Sequence, residues 1–287
     1  SSQFDMADTV PAPQLAAAKS RPDFYSPPYL GVGTVAFNWK IAPFDNLDAR
    51  LAFCEAINRD LITSTVLHGA DTPSWHLVPK GMPGYNPNVK GPDGETATGS
   101  DVANAQKHWQ AYLSTVNNKP PKIVYSYNTS STTASAYAQA LISGWNQVLT
   151  GANVQTDTTD WATILKEEQA KKVQSYRFGW IADYPDPQDF LTLLYSTTSS
   201  YNDNNASVPQ ADQLMSQADG MFQTSQTDQR MSLYNQAEQL LINQVAVCPV
   251  FQYGNQYMAR TYMKGFLEDA QGQEPITEWP NVYIATH

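Results

Sequence analysis

The sequence of 287 residues contains no apolar run close to the ~20 residues that span a bilayer, and no signal peptide opens it. Its Pro-interrupted start lacks an initiator Met, which predicts a processed or truncated chain. Only two cysteines occur, Cys54 and Cys248, which excludes a disulfide scaffold and a cysteine-based metal site. One long-range disulfide and two buried thiols remain equally open interpretations.

Charge is also scarce, at 15% of the residues, and 27 acidic residues outnumber 17 basic ones. The net charge of −10 repels phosphate backbones, so the composition argues against nucleic-acid binding. The chain instead carries 16 Tyr and 7 Trp among many uncharged polar residues. Such a composition is typical of secreted proteins that handle sugars or peptides.

Several catalytic signatures are missing, namely the P-loop and the G-x-S-x-G and H-E-x-x-H motifs. GVGTVA at residues 31–36 matches a short dinucleotide fingerprint, which needs a strand before it and a helix after it. A Pro-Pro pair precedes this segment and a β-branched, aromatic run follows it, so we predict no nucleotide site. The four scattered histidines do not have metal-site spacing, so no cofactor and no metal centre are expected.

Hydrophobic spacing predicts alternating helices and strands. Asp45 or Asn46 begins a helix that continues to Leu67, and Asp160 caps a later one. The clearest strands are 122–128, 153–158, 173–182 and 246–253, and the clearest late helices are 208–222 and 227–244. This alternation predicts an α/β fold with a largely parallel sheet flanked by helices.

Three aspartates lie within seven residues, at Asp183, Asp186 and Asp189. A calcium loop or a carboxylate pair for glycoside hydrolysis would use such a cluster. However, Asp186 and Pro187 have the pattern of a helix start, with Asp189 in its first turn, so capping accounts for two of the three. Asp183 remains, directly after an apolar strand, where α/β folds place ligands.

Arg177 precedes Asp183 by six residues and shares its side-chain parity in a regular strand. A cation and a carboxylate on one face, ~20 Å apart at ~3.3 Å per residue, match the two ends of a zwitterion. The alternative is an Arg at the rim that pairs with a surface acid.

At these residues the chain resembles a known family. FGWIADYPDPQDFL at residues 178–191 is similar to the signature of the large extracellular solute-binding proteins of bacterial ABC importers, the oligopeptide, dipeptide and nickel group. Segments 37–62, 141–155 and 226–253 agree with that family in order and spacing. The resemblance covers residues 3–287 and only the C-terminal half of the family's length.

The resemblance implies a type II periplasmic-binding-protein-like lobe with strands that belong to a missing first lobe. Residues 1–36 would be a remnant of the first lobe and hinge, 37–248 the second lobe, and 249–287 the return to the first. It implies a monomeric binding protein rather than an enzyme, exported to the periplasm or cell surface as a lipoprotein. Its partners would be a peptide ligand and the membrane permease subunits.

In peptide-binding members, the Asp of the W-x-A-D motif pairs with the peptide α-amino group, and the backbone around Gly-Trp aligns the peptide as an added strand. The upstream Arg meets a peptide carboxylate. The resemblance therefore implies these ligand-binding residues: Arg177, Gly179, Trp180, Ile181, Asp183 and Tyr184. Two alternatives remain: an oligosaccharide binder that stacks sugar rings on Trp180, and a secreted glycoside hydrolase that uses Asp183 with a second carboxylate.

Overall fold

The computed structural model describes residues 4–129, 132–273 and 278–286. Its strands are β1 Met6–Ala7, β2 Phe24–Tyr25, β3 Gly31–Phe37, β4 Thr72–Pro73, β5 Val124–Asn128, β6 Gln155–Thr159, β7 Ser175–Ile181, β8 Cys248–Gln252, β9 Tyr257–Ala259, β10 Met263–Lys264 and β11 Tyr283–Ile284. Its α-helices are α1 Leu15–Ala18, α2 Leu47–Glu55, α3 Arg59–Leu61, α4 Val102–Thr115, α5 Thr132–Val148, α6 Trp161–Gln169, α7 Pro187–Phe190, α8 Thr192–Tyr195, α9 Pro209–Asp219 and α10 Thr227–Asn243.

The main sheet has six strands in the order β4-β8-β3-β7-β5-β6. The β5–β6 and β5–β7 pairs are parallel, whereas β3 runs antiparallel to both β7 and β8, and β4 runs antiparallel to β8. The α/β fold is therefore confirmed, but the sheet is mixed rather than largely parallel. The reason is that β3, which comes from a distant part of the chain, inserts between β7 and β8 and runs opposite to both, and β4 runs opposite to β8.

Helices cover both faces of this sheet and create two core clusters. Successive side chains of β3 point to opposite faces of the sheet. Val35 and Phe37 therefore join the cluster packed by α2, α4 and α5. Val32 and Ala36 join the cluster packed by α9 and α10. Because both of its faces are covered, β3 is buried along its whole length.

The predicted helix over 46–67 is interrupted. Asn46 caps α2 by accepting hydrogen bonds from the amides of Asp48 and Ala49, as the sequence indicated. The helix then ends at Glu55, because the Asn58 side chain accepts from the Leu61 amide and begins a new turn. A π-helical segment, Ile62–Val66, completes the region.

A disulfide joins Cys54 of α2 to Cys248 of β8 across 194 residues of sequence. This decides between the two interpretations of the cysteines. Two small sheets lie outside the main one, β1-β9-β2 and β10-β11. Among the described residues, no helix has both the length and the apolar character needed to cross a membrane.

Candidate functional site

One face of β7 is open to solvent. Arg177, Gly179 and Ile181 are exposed along this strand, while the intervening Phe178 and Trp180 are half-buried against the α9–α10 core. The predicted shared parity of the first three residues is therefore confirmed. Trp180 points to the opposite face, where its indole donates to the Asp189 carboxylate and meets the ring of Tyr201 edge-on.

The backbone edge of β7 on this side is also open. β3 pairs with all seven residues of β7, but β5 pairs with it only at Ser126–Tyr176 among the described residues. The Ala182 amide donates to the Leu30 carbonyl at 2.8 Å, so even-numbered residues direct their polar groups towards β3. It follows that the amides and carbonyls of Gly179 and Ile181 face the unpaired edge.

Three glycines allow aromatic rings to lie close to the sheet on this face. A Cβ on Gly33 would be 2.3 Å from the Phe251 ring, and a Cβ on Gly179 would be 2.3 Å from the Tyr253 hydroxyl. A Cβ on Gly31 would be 2.8 Å from the Tyr253 ring. The glycines of GVGTVA therefore serve close packing within a buried strand, and the helix that a dinucleotide fingerprint requires does not follow it.

Arg177 has no carboxylate within ion-pair distance among the described residues. Its Nη2 donates to the Tyr253 hydroxyl at 2.9 Å, and its guanidinium lies 5.6 Å from the ring centre of Tyr137. The alternative interpretation of Arg177 was a rim arginine paired with a surface acid. No such ion pair is present in the described part of the chain. Its positive charge is available for an anionic group in the open cleft.

A pocket of about 200 Å³ lies beside this arginine. Its lining includes Tyr127, Tyr137, Trp161, Glu168 and Arg177. Burial raises the pKa of Glu168 to about 8, so this carboxyl group is largely neutral at pH 7. The buried Tyr137 hydroxyl has no hydrogen-bond partner among the described residues, which leaves a polar group free on the pocket wall.

Asp183 lies at the end of the open edge and is exposed. Its amide donates to Asp189 Oδ2 at 2.9 Å, and Gln271 Nε2 donates to its carbonyl at 2.9 Å. No described side chain or amide bonds its carboxylate. The backbone is thus fixed on both sides, while the negative charge remains free for a cationic ligand group.

The neighbouring aspartates are already engaged. Asp186 caps α7 through the Gln188 amide, as predicted, and forms a bidentate ion pair with Arg230 at 2.6 and 2.8 Å. Asp189 is fully buried and accepts from Trp180 and Asp183, a role that the sequence did not indicate. Asp186 is therefore ion-paired and Asp189 is buried, so neither offers an exposed, unpaired carboxylate beside Asp183.

Tyr184, one of the predicted ligand-binding residues, donates its hydroxyl to Gln188, so it is only partly available to a ligand.

Other residues of the site were not predicted. Tyr253, Glu168 and Gln271 reach the site from distant segments of the chain, and no local motif marks them. The one available signal was the Tyr that ends the last predicted strand, AVCPVFQY.

Sequence comparison identifies related proteins. The family described as bacterial extracellular solute-binding proteins, family 5, matches residues 1–202. The periplasmic murein peptide-binding protein MppA of Escherichia coli is 31% identical over 92% of this chain. The oligopeptide-binding protein OppA of Bacillus subtilis is 27% identical over 92% of it. The chain spans about half the length of these relatives, 47% and 48% respectively.

Solved structures show the same fold. The murein tripeptide-binding protein MppA of Escherichia coli matches 99% of this chain with a TM-score of 0.81 and 27% identity. Haemophilus influenzae OppA, solved with the peptide RPPGFSPFR, matches 99% with a TM-score of 0.82 and 25% identity. This chain covers 54% and 55% of those two structures. The periplasmic-binding-protein-like architecture is therefore confirmed.

Proposed function

The chain belongs to the bacterial extracellular solute-binding proteins, family 5, and we propose that it is the C-terminal lobe of a peptide-binding subunit of an ABC importer. Residues 37–248 form most of this lobe, β3 and β8 complete its sheet, and the segments before β3 and after β8 belong with the other lobe. The subunit is exported, acts as a monomer and passes its ligand to membrane permeases. It binds its ligand without a chemical reaction. The relatives named for peptide binding support this proposal.

The open edge of β7 carries the proposal. A peptide that pairs with Gly179 and Ile181 extends the sheet on the side that β5 leaves free. Main-chain hydrogen bonds do not depend on side-chain identity, so this mode accepts varied sequences. Trp180 contributes only by holding β7 in place, because its backbone polar groups face β3 and its side chain packs on the other face.

The two ends of the strand provide opposite charges. Asp183 binds the peptide α-amino group, and Arg177 binds a carboxylate of the ligand. Both groups lack an ion-pair partner among the described residues, and both lie on the exposed side of β7 and its continuation. Charge-assisted hydrogen bonds at these points fix the direction and register of the added strand.

The test compares peptides with free and acetylated amino termini. We expect Asp183→Asn to weaken binding of free-amino tripeptides to pentapeptides about fivefold or more, the value of roughly 1 kcal/mol for an exposed ion pair. Binding of the N-acetylated peptides should not change. Native mass spectrometry detects the adducts, and calorimetry gives the affinities. Asp228→Asn, an exposed aspartate on α10, is the matched control.

Three results would contradict parts of this proposal. An equal loss of affinity for both peptide classes would contradict the pairing of Asp183 with the peptide α-amino group. Adducts with cello- or xylo-oligosaccharides but not with peptides would favour the sugar-binding alternative. Absence of any peptide binding would show that this lobe does not hold the anchoring end by itself.

A further inference from the structure

A second group of ionisable side chains lies away from the β7 cleft. Glu55 ends α2, Asp93 lies in a short 3-10 turn of the 79–99 loop, and His108 lies in the middle of α4. One donor atom from each of the three lies within 4.8 Å of the other two. Three separate chain segments therefore converge on one point.

Glu55 is the central member of this group. Its exposed fraction is only 1%, and neither of its carboxylate oxygens has a hydrogen-bond partner among the described residues. A buried carboxylate without hydrogen bonds or a counter-charge is strongly unfavourable. The Glu55 carboxylate therefore needs either a proton or a neighbouring cation.

His108 is held in an orientation that suits a metal ligand. Its Nδ1 lies 2.7 Å from Asp48 Oδ1, and its Nε2 lies 3.0 Å from Asp93 Oδ2. When Nδ1–H donates to Asp48, the Nε2 lone pair points at a carboxylate oxygen, and a positive ion between them removes the repulsion. A histidine whose far nitrogen donates to a carboxylate is the usual arrangement at zinc sites.

We propose that Glu55, Asp93 and His108 bind one divalent transition-metal ion of the zinc type, with Asp48 positioning His108. Imidazole with two carboxylates is a donor set suited to zinc rather than to calcium or magnesium. Zinc bonds of about 2.0–2.2 Å place tetrahedral ligands about 3.4 Å from each other. The His108 Nε2–Asp93 Oδ2 separation of 3.0 Å would therefore open slightly, while separations of up to 4.8 Å in the group would shorten. Asp93 is exposed, which leaves the fourth position to water.

The ion would connect the 79–99 loop to the α2–α4 pair. Asp93 has a φ of 55°, a left-handed conformation that is uncommon for a residue other than glycine. Besides His108, its described ion-pair partner is Lys107, at 3.8 Å. A bound cation would connect this loop residue to Glu55 in addition to His108. The site is structural and does not depend on the proposed peptide-binding role.

The experiment titrates zinc into the untagged, chelator-treated chain with its disulfide intact. We expect saturable binding of one ion per chain, a rise in Tm, and with Co²⁺ the visible absorption bands of a four-coordinate N/O site. Asp93→Asn and His108→Gln should each weaken zinc binding about 100-fold or more, and Asp48→Asn about 10–100-fold. His68→Gln, at an exposed histidine, is the matched control and should bind as the parent does.

Asp93→Asn changes only an exposed loop residue, so it keeps the test valid if the His108 variant fails to fold. Two outcomes would overturn the proposal. One is no saturable zinc binding by the parent chain, which would mean that a proton on His108 or Glu55 balances the cluster. The other is zinc binding that Asp93→Asn and Asp48→Asn leave unchanged, which would place the ion elsewhere.

Discussion

At the scale of single residues, buried carboxyl groups organise this structure. Asp189 has no exposed surface, and its Oδ2 accepts hydrogen bonds from the Trp180 indole and the Asp183 amide. Asp189 therefore holds in place both β7, whose edge is open, and Asp183, which follows that strand. Glu238 has a related role, because its Oε1 accepts from the amides of Leu77 and Val78.

Asp189→Ala should lower the free energy of unfolding by about 1–3 kcal/mol, because two donors lose their acceptor. Asp189→Asn keeps one acceptor oxygen and should lose less than half as much. Urea denaturation of the two variants and the parent measures this difference. Equal losses in both variants would show that the charge, rather than the hydrogen bonds, matters.

Glu238→Gln should change how stability depends on pH. Burial raises the pKa of Glu238 from 4.5 to about 7, although the two amides oppose this rise. Its contribution to stability is complete below pH 4.5 and is lost as the pH rises through 7. The parent should therefore lose about 3 kcal/mol relative to the variant between these values, at ~1.4 kcal/mol per pKa unit. Denaturation at several pH values, with exposed Glu167→Gln as control, tests this.

At the scale of elements, the disulfide connects a helix to a strand that folds beside it from far along the chain. Cys54 and Cys248 are both buried, and the fully buried Arg59 donates to the Pro249 carbonyl at 2.8 Å in the same region. The Arg59 guanidinium lies 3.2 Å from the ring centre of Trp75. This group joins α2, α3 and β8 into one unit.

Replacing both cysteines with serine should lower the free energy of unfolding by about 2–5 kcal/mol, since the closed loop of 194 residues is long. Equilibrium denaturation of the parent and of Cys54→Ser/Cys248→Ser measures the loss. Treating the double variant with reductant is the control and should have no effect. A parent whose stability is unchanged by reduction would contradict the expectation.

At the scale of the whole molecule, stability is distributed unevenly. The six-stranded sheet lies between two core clusters, whereas β10 and β11 are two residues each and pair only through Met263–Ile284 and Lys264–Tyr283. Phe4, Leu267, Trp279, Tyr283 and Ile284 are more than half exposed, all outside the main sheet. Very short strands without a buried face have little stability of their own.

Hydrogen exchange should therefore separate the two parts of the molecule. We expect the amides of β3 to exchange only through global unfolding, because the strand is buried throughout. Those of β10 and β11 should exchange about 100-fold faster or more. Mass spectrometry or NMR under native conditions gives the rates. Similar protection in both parts would show that the small sheets belong to the same cooperative unit.

The sequence predicted much of the site's local geometry. Strand alternation correctly placed Arg177, Gly179 and Ile181 on one face, and capping chemistry correctly placed Asp186 at a helix start. Strand alternation and helix capping depend only on neighbouring residues, so both can be predicted from the sequence. The ligand roles of Arg177, Gly179, Trp180, Ile181, Asp183 and Tyr184 stay predictions.

The sequence by itself thus determined the α/β class, most helix and strand positions, and the resemblance to a solute-binding family, since these depend on local spacing. Only the tertiary structure decided the mixed sheet, the disulfide, the open edge of β7 and the Glu55–Asp93–His108 cluster. Each of these joins residues far apart in the chain; β3 and β7, for example, pair Gly33 with Gly179. Such contacts depend on which elements pack together, and hydrophobic periodicity does not specify that choice.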